Sequence, residues 1–160
     1  MKNYSTKRKF GIVLGWAAVA ACMGVIFYLS HQPREESAEL SLTVMNGVLA
    51  VFAWLAEFLG HEGFRTLAHG LEYCGLGALL FHAFLQTTGK SKPFICFAVA
   101  VSYAITDEIH QLFVPGRAFQ FTDIAVDATG AAAGIAVCVG LYIIVLKIIK
   151  KKSGQPLKDR

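Results

Sequence analysis

Asp107-Glu108-Ile109-His110-Gln111-Leu112-Phe113-Val114-Pro115-Gly116-Arg117 is the stretch on which the reading of this chain turns. It follows directly on Pro93-Phe94-Ile95-Cys96-Phe97-Ala98-Val99-Ala100-Val101-Ser102-Tyr103-Ala104-Ile105, an apolar run that reads as a membrane span. Asp123 and Asp127 open the next apolar run. In a water-soluble protein such a charged stretch is a solvated loop. At the end of a span, carboxylates are costly, and they persist where they are paired, hydrated or used. The rest of the chain must therefore be asked what it brings to these acids.

Composition supports the membrane reading. Of 160 residues 55% are hydrophobic and only 16% are charged, and the mean hydropathy is +0.52. That is the balance of one polytopic membrane domain rather than a water-soluble core. The net charge of +4 does not point to nucleic acid, because the basic residues sit at the ends of apolar runs, where topology accounts for them. Cys22, Cys74, Cys96 and Cys138 each fall in a separate apolar run without a CxxC spacing, which reads as buried free thiols.

Working outward, the apolar runs predict an all-α polytopic membrane protein with spans at about 10–30, 64–86, 93–114 and 121–149. Residues 1–9 form a basic flank with Lys2, Lys7, Arg8 and Lys9. The first run carries no charge and is long enough for a ~30 Å hydrocarbon layer. A basic start before an apolar run also describes a signal peptide, and Val19-Ala20-Ala21-Cys22 resembles a lipoprotein cleavage box. The run stays apolar through Leu29, however, which favours an uncleaved helix. Pro33 and the charges after it end that helix. Residues 41–59 are nearly long enough to span, but Thr43, Asn46, Ala50, Ala53 and Glu57 make a polar-to-small stripe at helical spacing. Residues 150–160 are a basic polar tail.

The distribution of basic residues decides how 41–59 lies. If it does not span and the N-terminus is cytoplasmic, only Arg34, Arg65 and Arg117 of the 15 basic residues fall outside. If it spans, Arg65 and Arg117 move inside, while Lys90, Lys92 and every basic residue from Lys147 onward move outside, and the bias is lost. The expectation is four spans, both termini cytoplasmic in the plasma membrane, and an interfacial or re-entrant outer helix over 41–59.

That topology gathers the scattered polar residues. With a rise of ~1.5 Å per residue, Glu72 lies roughly 12 Å below the start of its helix, Asp107 roughly 10 Å below the end of its own, and Asp127 roughly 9 Å below the start of the last. Every acidic residue except Asp159 falls on the outer side. His69, Glu72 and Tyr73 share one helical face, as do Asp107, Glu108 and Gln111. Asp123 and Asp127 continue into Gly130 and Gly134, a spacing that permits close helix packing.

Carboxylates crowded into a partly dry region cannot all be ionised, and a protonated carboxyl beside an ionised one is an acid–base pair. Glu72, Asp107 and Glu108 are the candidate acid–base groups, with His69 as proton shuttle. Ser30, Gln32, Arg65, Tyr73, Gln111, Arg117, Asp123 and Asp127 are the candidate ligand-binding residues, Arg117 as a clamp for phosphate or carboxylate. Blander roles stand beside these. His69 and Tyr73 also suit plain interhelical hydrogen bonds, Arg117 a turn at the membrane surface, and Ser30, His31 and Gln32 a helix cap. His31 and His110 read as surface groups, and His82 as packing. Nucleophile elbow, P-loop and zinc signatures are missing. The acids with His69 are compatible with a divalent cation, yet no motif specifies one, so the cofactor is open.

At these residues the chain resembles the VanZ-like family, linked to resistance to the glycopeptide teicoplanin. The similarity runs from about Phe27 to Gly134. It rests on Ser30-His31-Gln32, on Arg65-Thr66-Leu67-Ala68-His69-Gly70-Leu71-Glu72-Tyr73, and on the opening stretch followed by Asp123-Ile124-Ala125-Val126-Asp127-Ala128-Thr129-Gly130. Thr66 stands where that family commonly has Lys and Asp127 where it commonly has Asn, so the site here is more acidic and lacks one cation. The resemblance implies a cell-envelope membrane protein. The residues suggest an outer-leaflet acidic pocket that binds or modulates a lipid-linked envelope precursor, membrane lipid or glycopeptide. An intramembrane acid–base enzyme acting on a lipid or lipid-linked precursor is the alternative, and a proton-coupled transporter a third.

Overall fold

The computed structural model describes residues 6–33, 63 and 66–153. The predicted helix over 41–59 and the candidate residue Arg65 lie outside them. The described residues form four helices and no strands: α1 (Thr6–Ser30), α2 (66–88), α3 (Pro93–Gln111) and α4 (Phe121–Ser153). The all-α expectation is met.

The contacts between helices set their directions. Arg8 at the start of α1 donates from Nη2 to the carbonyl of Gln86 near the end of α2 at 3.1 Å. Trp16 Nε1 donates to Thr87 Oγ1 at 3.0 Å, and its ring meets Phe84 edge-on at 5.2 Å. So α1 and α2 are antiparallel. By contrast α1 and α3 run the same way: Tyr103 Oη donates to the Met23 carbonyl at 2.6 Å, and further along both helices Ser30 meets Asp107. A Cβ at Gly130 would strike the carbonyl of Gly70, and one at Gly134 the carbonyl of Cys74. This pairing makes α2 and α4 parallel, and no side chain fits between their backbones there. The result is an up-down-up-down bundle. The end of α1, the start of α2, the end of α3 and the start of α4 all lie at the same end.

The core is small-residue packing around a few large groups. Cys96, Ala100 and Ala104 form the buried stripe of α3, and they face a cluster that includes Ile26, Leu76, Leu80, Phe81, Ala131 and Ile135. Toward the end of α3 this same stripe turns polar, continuing as Asp107, Glu108 and Gln111. Helix α3 stops at Gln111 rather than running to 114. Leu112, Phe113 and Val114 close back on Ile109, His110 and Gln111, and Arg117 N–H returns to the Val114 carbonyl at 3.1 Å. Pro115 and Gly116, with φ +73° at Gly116, sit at the centre of that turn, the pairing a type II turn asks for.

The polarity of the molecule is inverted. Phe94, Phe113 and Phe121 are 80% or more exposed, while Glu108, Gln111 and Asp127 are among the largest fully buried side chains. That is the pattern of a chain solvated by lipid. Helix α1 over Arg8–Ser30 and helix α4 over Phe121–Lys152 are long and apolar enough to cross a membrane. Among the described residues α2 and α3 do not meet the same measure, since α2 carries His69 and Glu72 and α3 carries Asp107, Glu108 and His110, which lower their mean hydropathy. The protein is a membrane protein, and two of its helices are clearly long and apolar enough to span.

Candidate functional site

The site is built where the polar end of the α3 stripe meets the other three helices. Asp107 is 3% exposed. Its Oδ2 accepts the Ser30 hydroxyl at 2.7 Å and, at the 3.5 Å limit, Gln111 Nε2 from the next turn of its own helix. Its Oδ1 is buried and has no hydrogen-bond partner among the described residues. Ser30 therefore does more than cap α1: it ties the last residue of that helix to α3.

Helix α2 contributes one face. Tyr73 is fully buried, its ring 6.3 Å from that of Tyr103, and its hydroxyl has no hydrogen-bond partner among the described residues. His69 Nδ1 lies 3.9 Å from Asp127 Oδ1. That distance suits an ion pair if the imidazole is protonated and otherwise leaves room for a bridging donor. Glu72 is only partly buried and is electrostatically coupled to Asp107 and Arg117.

Helix α4 supplies Asp127, 2% exposed and coupled to Asp107, Asp123, Glu108 and Glu72. Asp123 sits in the first turn of α4, with Thr122 Oγ1 donating to its Oδ1 at 3.3 Å. Glu108 is buried, and its Oε2 accepts the backbone N–H of Gln120 at 2.8 Å. The Gln120 carbonyl in turn accepts from Asp123 N–H at 3.1 Å, so Gln120 is the cap of α4 and Glu108 anchors it. A carboxylate at a helix N-terminus is favourably placed for charge as well. Arg117 Nε donates to the Gln32 carbonyl at 3.4 Å, joining the turn after α3 to the end of α1. Arg117 is coupled to Glu72, Asp107 and Glu108.

Of the twelve candidate residues, Arg65 lies outside the described residues. The others fall at one end of the bundle in two layers. The inner layer is Ser30, His69, Glu72, Tyr73, Asp107, Gln111 and Asp127. The second holds Gln32, Glu108, Arg117 and Asp123, close to helix ends and turns. Two features escaped the sequence reading. Tyr103, one turn before Asp107 on the same face, borders Tyr73 and bonds to α1; its i, i+4 spacing from Asp107 was the available signal. His31 and His110 face each other across α1 and α3, and nothing local to either residue announces that.

Chemically, the inner layer presents acceptor oxygens, a phenol and an imidazole in a region withdrawn from solvent. Such a cluster suits a ligand rich in N–H or O–H donors, or a proton passed between acids. Among the described residues no three His, Cys, Asp or Glu side chains converge with metal-ligand geometry. Two apolar grooves flank the bundle among the described residues, one of about 500 Å³ along Leu67, Gly70, Cys74, Val126 and Gly130, the other of about 350 Å³ along Phe94, Phe97, Ala132 and Val139.

Residues 15–146 match the family model described as VanZ/LLP1. No curated protein and no solved structure matches the chain. The family match covers most of the molecule, including the larger part of each helix and every candidate residue. The chain belongs to the VanZ/LLP1 family.

Proposed function

We propose that this VanZ/LLP1-family chain crosses the plasma membrane four times, with both termini in the cytoplasm, and that its polar cluster opens at the outer leaflet. There it binds the head group of a lipid-linked envelope component or a glycopeptide of the teicoplanin type, and so alters access to that component. The observation supporting this reading is a pair of buried polar atoms, Tyr73 Oη and Asp107 Oδ1, with no hydrogen-bond partner among the described residues. Each such atom costs about 1–3 kcal/mol if nothing meets it. Donor groups of a sugar, amide or amine would meet both. Arg117 at the turn suits the phosphate or carboxylate of the same ligand.

The test uses the purified protein in lipid nanodiscs with two labelled probes, a lipid-linked cell-wall precursor and a teicoplanin-type glycopeptide. Retention of one probe is expected, with Arg117→Ala losing it and Asp107→Asn weakening it less. Equal retention by Arg117→Ala would count against the reading.

A second reading is acid–base catalysis on a lipid or lipid-linked precursor, favoured by the His69–Asp127 approach at 3.9 Å. It requires His69→Gln and Glu72→Gln to change the lipid-precursor profile of cells while the protein still reaches the membrane. An unchanged profile and unchanged glycopeptide susceptibility, at normal expression, would remove it.

A further inference from the structure

The cluster described above leaves one polar contact unused, at the rim of the same end of the bundle. His31 follows the last turn of α1, where its N–H closes on the Phe27 carbonyl at 2.9 Å. His110 lies in the last turn of α3. His31 Nδ1 and His110 Nε2 are 3.1 Å apart. The two rings are nearly parallel, 22° between planes and 5.3 Å between centroids. Phe27 packs against both, 4.5 Å from His110 and 6.1 Å from His31. His31 is exposed and His110 partly so, which leaves the pair within reach of solutes.

Two imidazole nitrogens this close either share one proton or share one metal ion. With metal–nitrogen distances of ~2.1 Å, a separation like this one corresponds to an angle at the metal of roughly 95°, between octahedral and tetrahedral values. Both rings lie at helix C-termini, the negative ends of the α1 and α3 dipoles, which favour a cation. Asp107, electrostatically coupled to His110, adds to that field. Imidazole pairs select zinc, copper or nickel over magnesium or calcium, which want oxygen ligands.

We propose that His31 and His110 form a two-histidine site for a borderline divalent transition metal of the zinc type. It ties the end of α1 to the end of α3 beside the Ser30–Asp107 hydrogen bond. His31 Nδ1 and His110 Nε2 are the ligand atoms. The remaining positions on the metal go to water or to an anionic group of an arriving ligand. The site stands independently of what the deeper cluster binds.

The experiment is calorimetric titration of the full chain, without a polyhistidine tag, in detergent micelles with Zn²⁺. One saturable equivalent is expected, unaffected by excess Mg²⁺ and by His82→Ala, and weakened about tenfold or more by either His31→Ala or His110→Ala, since even outer-shell losses cost that much. Nitrogen-15 spectra of the histidine rings should show Zn²⁺ moving the Nδ1 resonance of His31 and the Nε2 resonance of His110. Absence of saturable uptake by the unsubstituted chain would overturn the proposal. So would undiminished uptake by the His31→Ala/His110→Ala double variant, or movement of the opposite ring nitrogens.

Discussion

Asp107 is held by one short hydrogen bond and one long one, and both come to the same oxygen. Removing the short one is therefore informative. Ser30→Ala leaves Oδ2 with only Gln111 at the limit of a hydrogen bond, and the expected destabilisation is about 1–3 kcal/mol. It should appear as a clear drop in melting temperature of the detergent-solubilised protein. Asp127→Asn should behave oppositely. Asp127 is buried within the electrostatic reach of Asp107, Glu108 and Glu72, so an amide that can never ionise avoids repulsion and desolvation while keeping the shape. Its melting temperature should equal or exceed that of the unsubstituted chain, and a fall as large as that of Ser30→Ala would show that the His69–Asp127 contact matters more than the crowding. At this scale much was legible in advance. Residue type and i, i+3, i+4 spacing put His69, Glu72 and Tyr73 on one face, and Asp107 with Gln111 on another. What spacing along one helix cannot reveal is height match between distant helices, which is why Tyr103 against Met23 and His31 against His110 emerged only in three dimensions.

At the scale of elements, two contacts decide how α4 is set. One is its cap. Glu108→Ala removes the acceptor for Gln120 N–H, while Glu108→Gln keeps an oxygen there. The alanine variant should lose about 0.5–2 kcal/mol of helix-end stability, read as faster amide exchange at Asp123 and Ile124, with the glutamine variant in between. Equal exchange in both would mean that charge, not the hydrogen bond, anchors the cap. The other contact is the seam with α2. A side chain at Gly134 would enter the Cys74 carbonyl, whereas nothing lies within 4 Å of a Cβ at Gly140. Gly134→Leu should abolish monodisperse protein on size exclusion. Gly140→Ala, further along the same helix, should be neutral or gain up to about 1 kcal/mol from a better helix former. The Gly130/Gly134 pair was readable as close packing from its spacing, but its partners were not, because Gly70 and Cys74 carry no matching signature. The end of α3 was less legible: apolar Leu112, Phe113 and Val114 looked like continuing span, and only the turn around Pro115 and Gly116 shows that they leave the helix, Leu112 and Phe113 exposed and Val114 folded back into the interior.

For the whole molecule, the bundle order and the charge pattern make a joint claim. The contacts place Lys90, between α2 and α3, at the opposite end from Ala118, between α3 and α4, since α3 runs from one to the other. Lysine at 90 and 92, the basic residues of α1 and the cluster Lys150-Lys151-Lys152 at the end of α4 all share the Lys90 end. The end bearing the carboxylates has Arg117 as its basic residue among those described. Basic residues are retained on the cytoplasmic side of a membrane, so the carboxylate end should face outward. That can be read without any ligand. Cys22, Cys74, Cys96 and Cys138 are free and are first replaced. A single cysteine is then returned at Lys90 or at Ala118, both exposed. In intact cells whose outer barrier has been opened, a membrane-impermeant maleimide should label Ala118→Cys at once and Lys90→Cys only after the plasma membrane is permeabilised. The reverse pattern would put the carboxylate cluster in the cytoplasm, where a lipid-linked precursor still carries its head group but a glycopeptide never arrives. Labelling of both sites before permeabilisation would break the four-span reading itself, because α3 would then not cross the membrane. The same two variants thus separate the orientation of the site from the number of spans, the feature that the apolarity of α2 and α3 leaves least marked.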